Sequence, residues 1–201
     1  MIEEEPQIPD YEGYRRLKSF RMAQLVYNVT MQFCDRYIDE ESRTYTRMMQ
    51  AARNGAQKIA DGSHAGETSK MKELKLTRIA RTNLEDLQIC YGEFLQKQEL
   101  PLWDEEDPRR AGLIAMRPRR AEDVEQWVVW VQELHVPKGP EVPPGESETL
   151  RHEEAIANGA LTLIARTVSL IDRQLSSQKR SAEHEERIAD QLRRKHQSKK
   201  G

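Results

Sequence analysis

Long apolar runs are missing from this chain of 201 residues. No stretch of about 18 apolar residues occurs, so a membrane-crossing helix is not expected. Cysteine is almost absent. Cys34 and Cys90 stand far apart and cannot make the disulfide framework of a small secreted domain. The opening residues, MIEEEPQIPDYEG, are acidic and carry no apolar core, so no secretory leader is expected and a reducing cytoplasm is the expected compartment. A charge of one sign is lacking too: 32 Lys and Arg against 34 Asp and Glu leave a net charge of −2, so any pull on nucleic acid must come from a local patch. Proline is absent from Asp10 to Leu100, and glycine stands there only at positions 13, 55, 62, 66 and 92. Nothing alternates with a period of two over a pair of segments, so no strand pair is expected, and no internal repeat is visible.

The motifs of nucleotide binding and common hydrolysis, GxxxxGK[ST], GxGxxG, HExxH and GxSxG, do not occur. A di-metal centre in a helical bundle uses Glu-x-x-His on inward faces. The residues three before each histidine are Asp61, Gln132, Thr149, Ser181 and Arg193, and none is Glu. The expectation is no metal, no cofactor and no catalytic residue. Cys34 and Cys90 fall on apolar helical faces and read as small buried hydrophobes.

What is present is helical periodicity. A first helix is expected over 14–37, with Leu17, Phe20, Ala23, Tyr27, Thr30 and Cys34 on one stripe. A second is expected over 43–60, stopped by Asp61-Gly62, because glycine past the last periodic residue is a helix C-terminal signal. A third begins at Thr68 or Ser69 and runs to Gln98, about 45 Å at 1.5 Å per residue. Its expected core stripe is Leu76, Ile79, Ala80, Leu84, Leu87, Tyr91, Phe94 and Leu95. A charged connector, DEEDPRRAGLIAMRPRR, with room for one short helix, leads into a helix over 121–134 whose core side carries Val124, Trp127, Val128, Val131 and Leu134. The segment PKGPEVPPG is a linker. A last helix, capped at Ser147 or Thr149, carries the heptad seam Ala157, Leu161, Ile164, Val168, Ile171, Leu175. The expected organisation is an acidic segment 1–13, helices over 14–136, a linker 137–146, a final helix 147–177 and a charged tail 178–201. The class is all-α, an up-and-down four-helix bundle with an extra short helix.

Four segments together carry a family resemblance: YRRLKSFRMAQLVYNVTMQFCDRY (14–37), QAARNGAQKIADGS (50–63), TSKMKELKLTRIARTNLEDLQICYGEFL (68–95) and ANGALTLIARTVSLIDRQL (157–175). They resemble the four-helix-bundle proteins related to those encoded by intervening sequences in bacterial large-subunit ribosomal RNA genes. The last segment is similar to the "four helix bundle suffix" of one branch. The family usually has Asn-Ile-x-Glu-Gly where this chain has Lys58-Ile59-Ala60-Asp61-Gly62. The resemblance implies an up-and-down bundle, a ring-like homopentamer and no catalytic residues. It also implies kinship with accessory proteins of diversity-generating retroelements, which work beside a reverse transcriptase and RNA.

The charges then point to a partner. Between positions 70 and 81 five cations, Lys70, Lys72, Lys75, Arg78 and Arg81, face one acid, Glu73. At 100° per residue Lys75, Arg78 and Arg81 fall within about 120° of one another, opposite the expected core stripe. Such a face can contact the phosphates of RNA or DNA. The alternative is a solvated helix face on a protein–protein interaction module with no nucleic-acid role. Met71, Leu74 and Ile89 are expected on the same outward side and mark an interface between copies. The basic end, QLRRKHQSKKG, is a second candidate arm for nucleic acid.

Overall fold

The computed structural model describes residues 13–134 and 150–198, with side chains at all of them except 192 and 194–198. The acidic start, apart from Gly13, and the Pro/Gly linker with its caps at Ser147 and Thr149 lie outside the described residues. Among those described, every regular element is helical: a 3-10 turn at Gly13–Arg16, then α1 (Lys18–Tyr37), α2 (Arg43–Ala65), α3 (Lys70–Lys97), α4 (Pro108–Met116), α5 (Ala121–Leu134) and α6 (His152–Ser198).

Local chemistry explains most of the boundaries. The Ser42 hydroxyl accepts from the Tyr45 amide and starts α2, and the Ser69 hydroxyl accepts from the Lys72 amide and starts α3. Asp107 caps α4 with Pro108 in the first helical position, where its missing N–H costs nothing. Two boundaries differ from expectation. Helix α2 does not stop at Gly62 but runs on to Ala65, with Gly62 buried inside it. A β-carbon on Gly62 would stand 3.2 Å from the Thr77 hydroxyl of α3, so this glycine serves close helix approach rather than termination. Helix α6 begins at His152 and continues far past 177, through most of the expected tail. Its extension is held at the start of α3: Gln178 donates to Glu73 at 2.9 Å, Glu185 accepts from the Lys70 amide at 3.2 Å, and Ala182 is buried.

Helix α1 packs on α2 and α6, and α3 likewise packs on α2 and α6. Contacts along α6 run in opposite order to those along its neighbours. Ser19 meets Gln174 and Tyr37 meets His152, while on α3 Arg81 meets Asp172 and Gln98 meets Arg151. The core between them is apolar and close-packed, with Phe33, Met48, Ile59, Leu84, Leu87, Tyr91 and Ile164 fully buried. Tyr91 donates to Thr30 at 3.1 Å, which satisfies its buried hydroxyl.

The first half of α6 is covered on every side. Every residue from Glu154 to Ile164 is buried, because α1 and α3 cover one side while α4 and α5 pack on another. The connector before α4 is pinned there by a polar cluster. Trp103 donates its indole N–H to Glu154 and its amide to the Asn158 side chain, both at 2.9 Å, and the Arg109 guanidinium lies 3.7 Å over the Trp103 ring. Trp127 of α5 fills the space above Gly159 and donates to the Arg109 carbonyl at 3.2 Å. One stretch, His152–Gln191, is long and apolar enough by composition to cross a membrane, and 72% of its apolar window is buried inside the fold.

Candidate nucleic-acid interface

Helix α3 presents the expected basic segment, but packing divides it. Lys72, Lys75 and Arg78 are exposed and make no ion pair among the described residues. Lys70 lies with its ammonium 3.4 Å from Glu73. Arg81 does not point away from the core. It lies on the flank covered by α6, where its Nε donates to Asp172 at 2.7 Å and its terminal nitrogen reaches Glu85 at 2.6 Å. The hydrogen bond to Asp172 holds its pKa above the ordinary arginine value. Two carboxylates thus neutralise Arg81, and the free basic face shrinks to three cations.

The same turn of the helix corrects two apolar assignments. Leu74, expected at an interface between copies, is buried, while Ile79, expected in the core, is exposed. On the helical wheel Leu74 lies about 20° from Arg81, on the side that α6 covers, whereas Ile79 lies about 140° from Leu74 and about 160° from Arg81. The periodicity of α3 alone does not reveal this, because α6 decides the side: Asp172 meets Arg81, and Gln178 and Glu185 meet the start of α3. Met71 and Ile89 are exposed as expected, at 58% and 54%. Met71, Lys75, Arg78 and Ile89 share about 60° of the outer surface of α3. Further along that surface the charge reverses: Glu85, Asp86 and Glu93 follow, and Asp86 and Glu93 bind Arg47 of α2 at 2.5 and 3.3 Å.

A second exposed face was not anticipated. On α5 Leu134 points outward at 55% exposure, with Val129 and Trp130 beside it. The run Trp127-Val128-Val129-Trp130-Val131 is longer than one helical turn, so part of it had to face outward. That signal was present in the sequence.

The titratable groups inside the fold are quiet. Burial pushes the Cys34 thiol up to about 12 and the Cys90 thiol up to about 11, so neither is a nucleophile at neutral pH. His152, in the first turn of α6, bridges the Tyr37 hydroxyl at 2.6 Å and Glu125 at 2.8 Å, which ties α1, α5 and α6 together. Burial holds the Tyr37 pKa above its usual value. No group of three or more His, Cys, Asp or Glu converges on one point among the described residues. Comparison of the chain with protein-family models, with characterised proteins and with solved structures finds no match.

Proposed function

We propose that this chain is a non-enzymatic helical scaffold of the cytoplasm that assembles with copies of itself. In this reading α1, α2, α3 and α6 make an up-and-down four-helix bundle, and α4 and α5 are additions that lock the start of α6. The closed cycle of neighbours around these four helices and the opposite order of contacts along α6 support it. The family resemblance supports a ring of five and a bacterial setting. The partner is RNA or DNA, or a nucleic-acid enzyme such as a reverse transcriptase. The observation that carries this is the exposed trio Lys72, Lys75 and Arg78 on one helix, unpaired among the described residues. A ring would repeat the trio around an axis and gain avidity without new contacts.

No aromatic side chain stands among these cations, so base stacking is not part of the reading and phosphate contact carries it. Binding of RNA and DNA is measured at about 50 mM salt and again at about 200 mM, where it must fall steeply. The variant K72E/K75E/R78E abolishes binding and keeps its helicity, because the three side chains support nothing in the fold. Arg81 is left untouched, since reversing it would set three acids together. Absence of any binding at low salt refutes the nucleic-acid reading. A second reading, a protein–protein module with no nucleic-acid role, is favoured by one observation: Met71, Ile79 and Ile89 are exposed among or beside the cations, and a phosphate backbone gives them nothing to bury against.

A further inference from the structure

The outer face of α5 is both apolar and acidic. Val129, Trp130 and Leu134 are exposed at 51%, 43% and 55%, and Glu122 and Glu133 flank them in the open without an ion pair among the described residues. The other two acids of α5 are engaged, Asp123 by the Arg119 and Arg120 amides and Glu125 by His152. The helix carries no basic residue. Trp130 is held in position from beneath. Its ring lies over Gly112 of α4, where a β-carbon would stand 3.2 Å from Cζ3, so the indole rests on glycine backbone and turns its other face to solvent. A large aromatic fixed in place, with aliphatic neighbours and a charged rim, has the character of an interface anchor.

The complement of this face is on the same chain. The outer surface of α3 places Met71 and Ile79 among Lys72, Lys75 and Arg78, apolar within basic where α5 is apolar within acidic. Inside one copy the two cannot meet, because α5 packs on α1, α4 and α6 and not on α3. We infer that the α5 face of one copy packs against the α3 face of a second copy, with Trp130, Val129 and Leu134 on Met71 and Ile79, and Glu122 and Glu133 set against Lys72, Lys75 and Arg78. The contact joins two different surfaces, so each copy offers one of each and assembly proceeds head to tail, closing into a ring when the rotation allows. This inference rests on the self-assembly in the scaffold reading and on the second, protein–protein reading, and it replaces the phosphate contact: the α3 face is then occupied by a copy of the chain.

The test uses charge reversal on the full chain, read by light scattering across micromolar concentrations, with circular dichroism as the check on fold. E122K/E133K and K75E/R78E each raise the concentration for half-assembly about tenfold or more, toward the 23.4 kDa monomer. The variant with all four reversals regains assembly over either double variant, because opposite charges again face each other at every reversed position and Lys72 alone is left against like charge. Trp130→Ala weakens assembly without altering any charge. An oligomer whose mass ignores every reversal overturns this contact and leaves the scaffold reading standing. A wild-type chain that stays monomeric at about 100 μM overturns both. If K75E/R78E releases RNA or DNA while the mass holds, the α3 face belongs to nucleic acid and the contact is wrong.

Discussion

Gly159 of α6 offers the sharpest energetic test of how α5 is seated. A β-carbon at this position would lie 2.7 Å from Cζ3 of Trp127, 3.3 Å from Cη2 and 3.5 Å from Cε3. The ring has little freedom to retreat. Trp127 is fully buried, its N–H is bonded to the Arg109 carbonyl, and its edge meets Trp103 with centroids 5.9 Å apart. Forcing a methyl into such a contact costs about 1–3 kcal/mol. Against this, alanine in a helix interior gains about 1 kcal/mol over glycine. The balance for Gly159→Ala is a loss of about 1 kcal/mol, or roughly 2–4 °C in Tm for a chain of this size. Gly92 of α3 supplies the control, since no atom stands within 4 Å of the β-carbon it would acquire. Gly92→Ala should therefore gain about 0.5–1 kcal/mol. Urea unfolding followed by circular dichroism measures both. A third variant completes the cycle: in a Trp127→Leu background the clash is gone, and Gly159→Ala should turn from harmful to helpful. If Gly159→Ala stabilises the wild-type chain as Gly92→Ala does, Trp127 is not wedged against α6 and the seating of α5 described above is wrong.

Three further outcomes follow from the packing and the charges. Ile164→Asp buries an unpaired carboxylate at a position with no exposure and costs several kcal/mol, so the variant should unfold or precipitate where the wild type gives a cooperative melt. The two thiols should resist a thiol reagent at pH 8 and react together only as denaturant opens the chain, since burial raises both well above that pH; labelling of either in native buffer would contradict this. The hydrogen bonds from Arg109 hold the Asp107 carboxyl below its usual range. A depressed folded-state pKa gives stability that is present above the unfolded value near 4 and is lost as pH falls through the folded one. Asp107→Asn should accordingly lower Tm at pH 7 and flatten its decline below about pH 4; an unchanged acid slope would remove Asp107 as a contributor.

Local signals in the sequence carried the helices well, and tertiary neighbours decided what the local signals missed. The Ser69 cap and the start of α5 each depend on a few adjacent residues, and each lies where side-chain chemistry places it. Gly62 misled because glycine permits both termination and close approach, and only the presence of Thr77 on a facing helix selects between them. The basic face was legible as a cluster, yet the loss of Arg81 from it depends on Asp172, 91 residues away. Leu74 and Ile79 exchanged places for the same reason. A helical wheel gives their angular separation but not which side a neighbour will cover. The apolar face of α5 is legible in the run Trp127-Val128-Val129-Trp130-Val131, since five large apolar residues in a row cannot all turn inward.

The all-round burial of α6 from Glu154 to Ile164 has a consequence for how the protein is born. Helices α1, α3, α4 and α5 leave the ribosome before α6, the helix on which all four pack, so their apolar faces wait without their common partner. At about 5–20 residues per second, the interval between completing α5 at Leu134 and completing α6 at Ser198 is about 3–13 s. During it α4 and α5 have almost nothing to rest on, since their main packing partner is the strand of chain still being made. Folding of the bundle is therefore gated by α6, and a nascent polypeptide stalled before Leu161 would expose the sticky inner surface that the folded molecule hides.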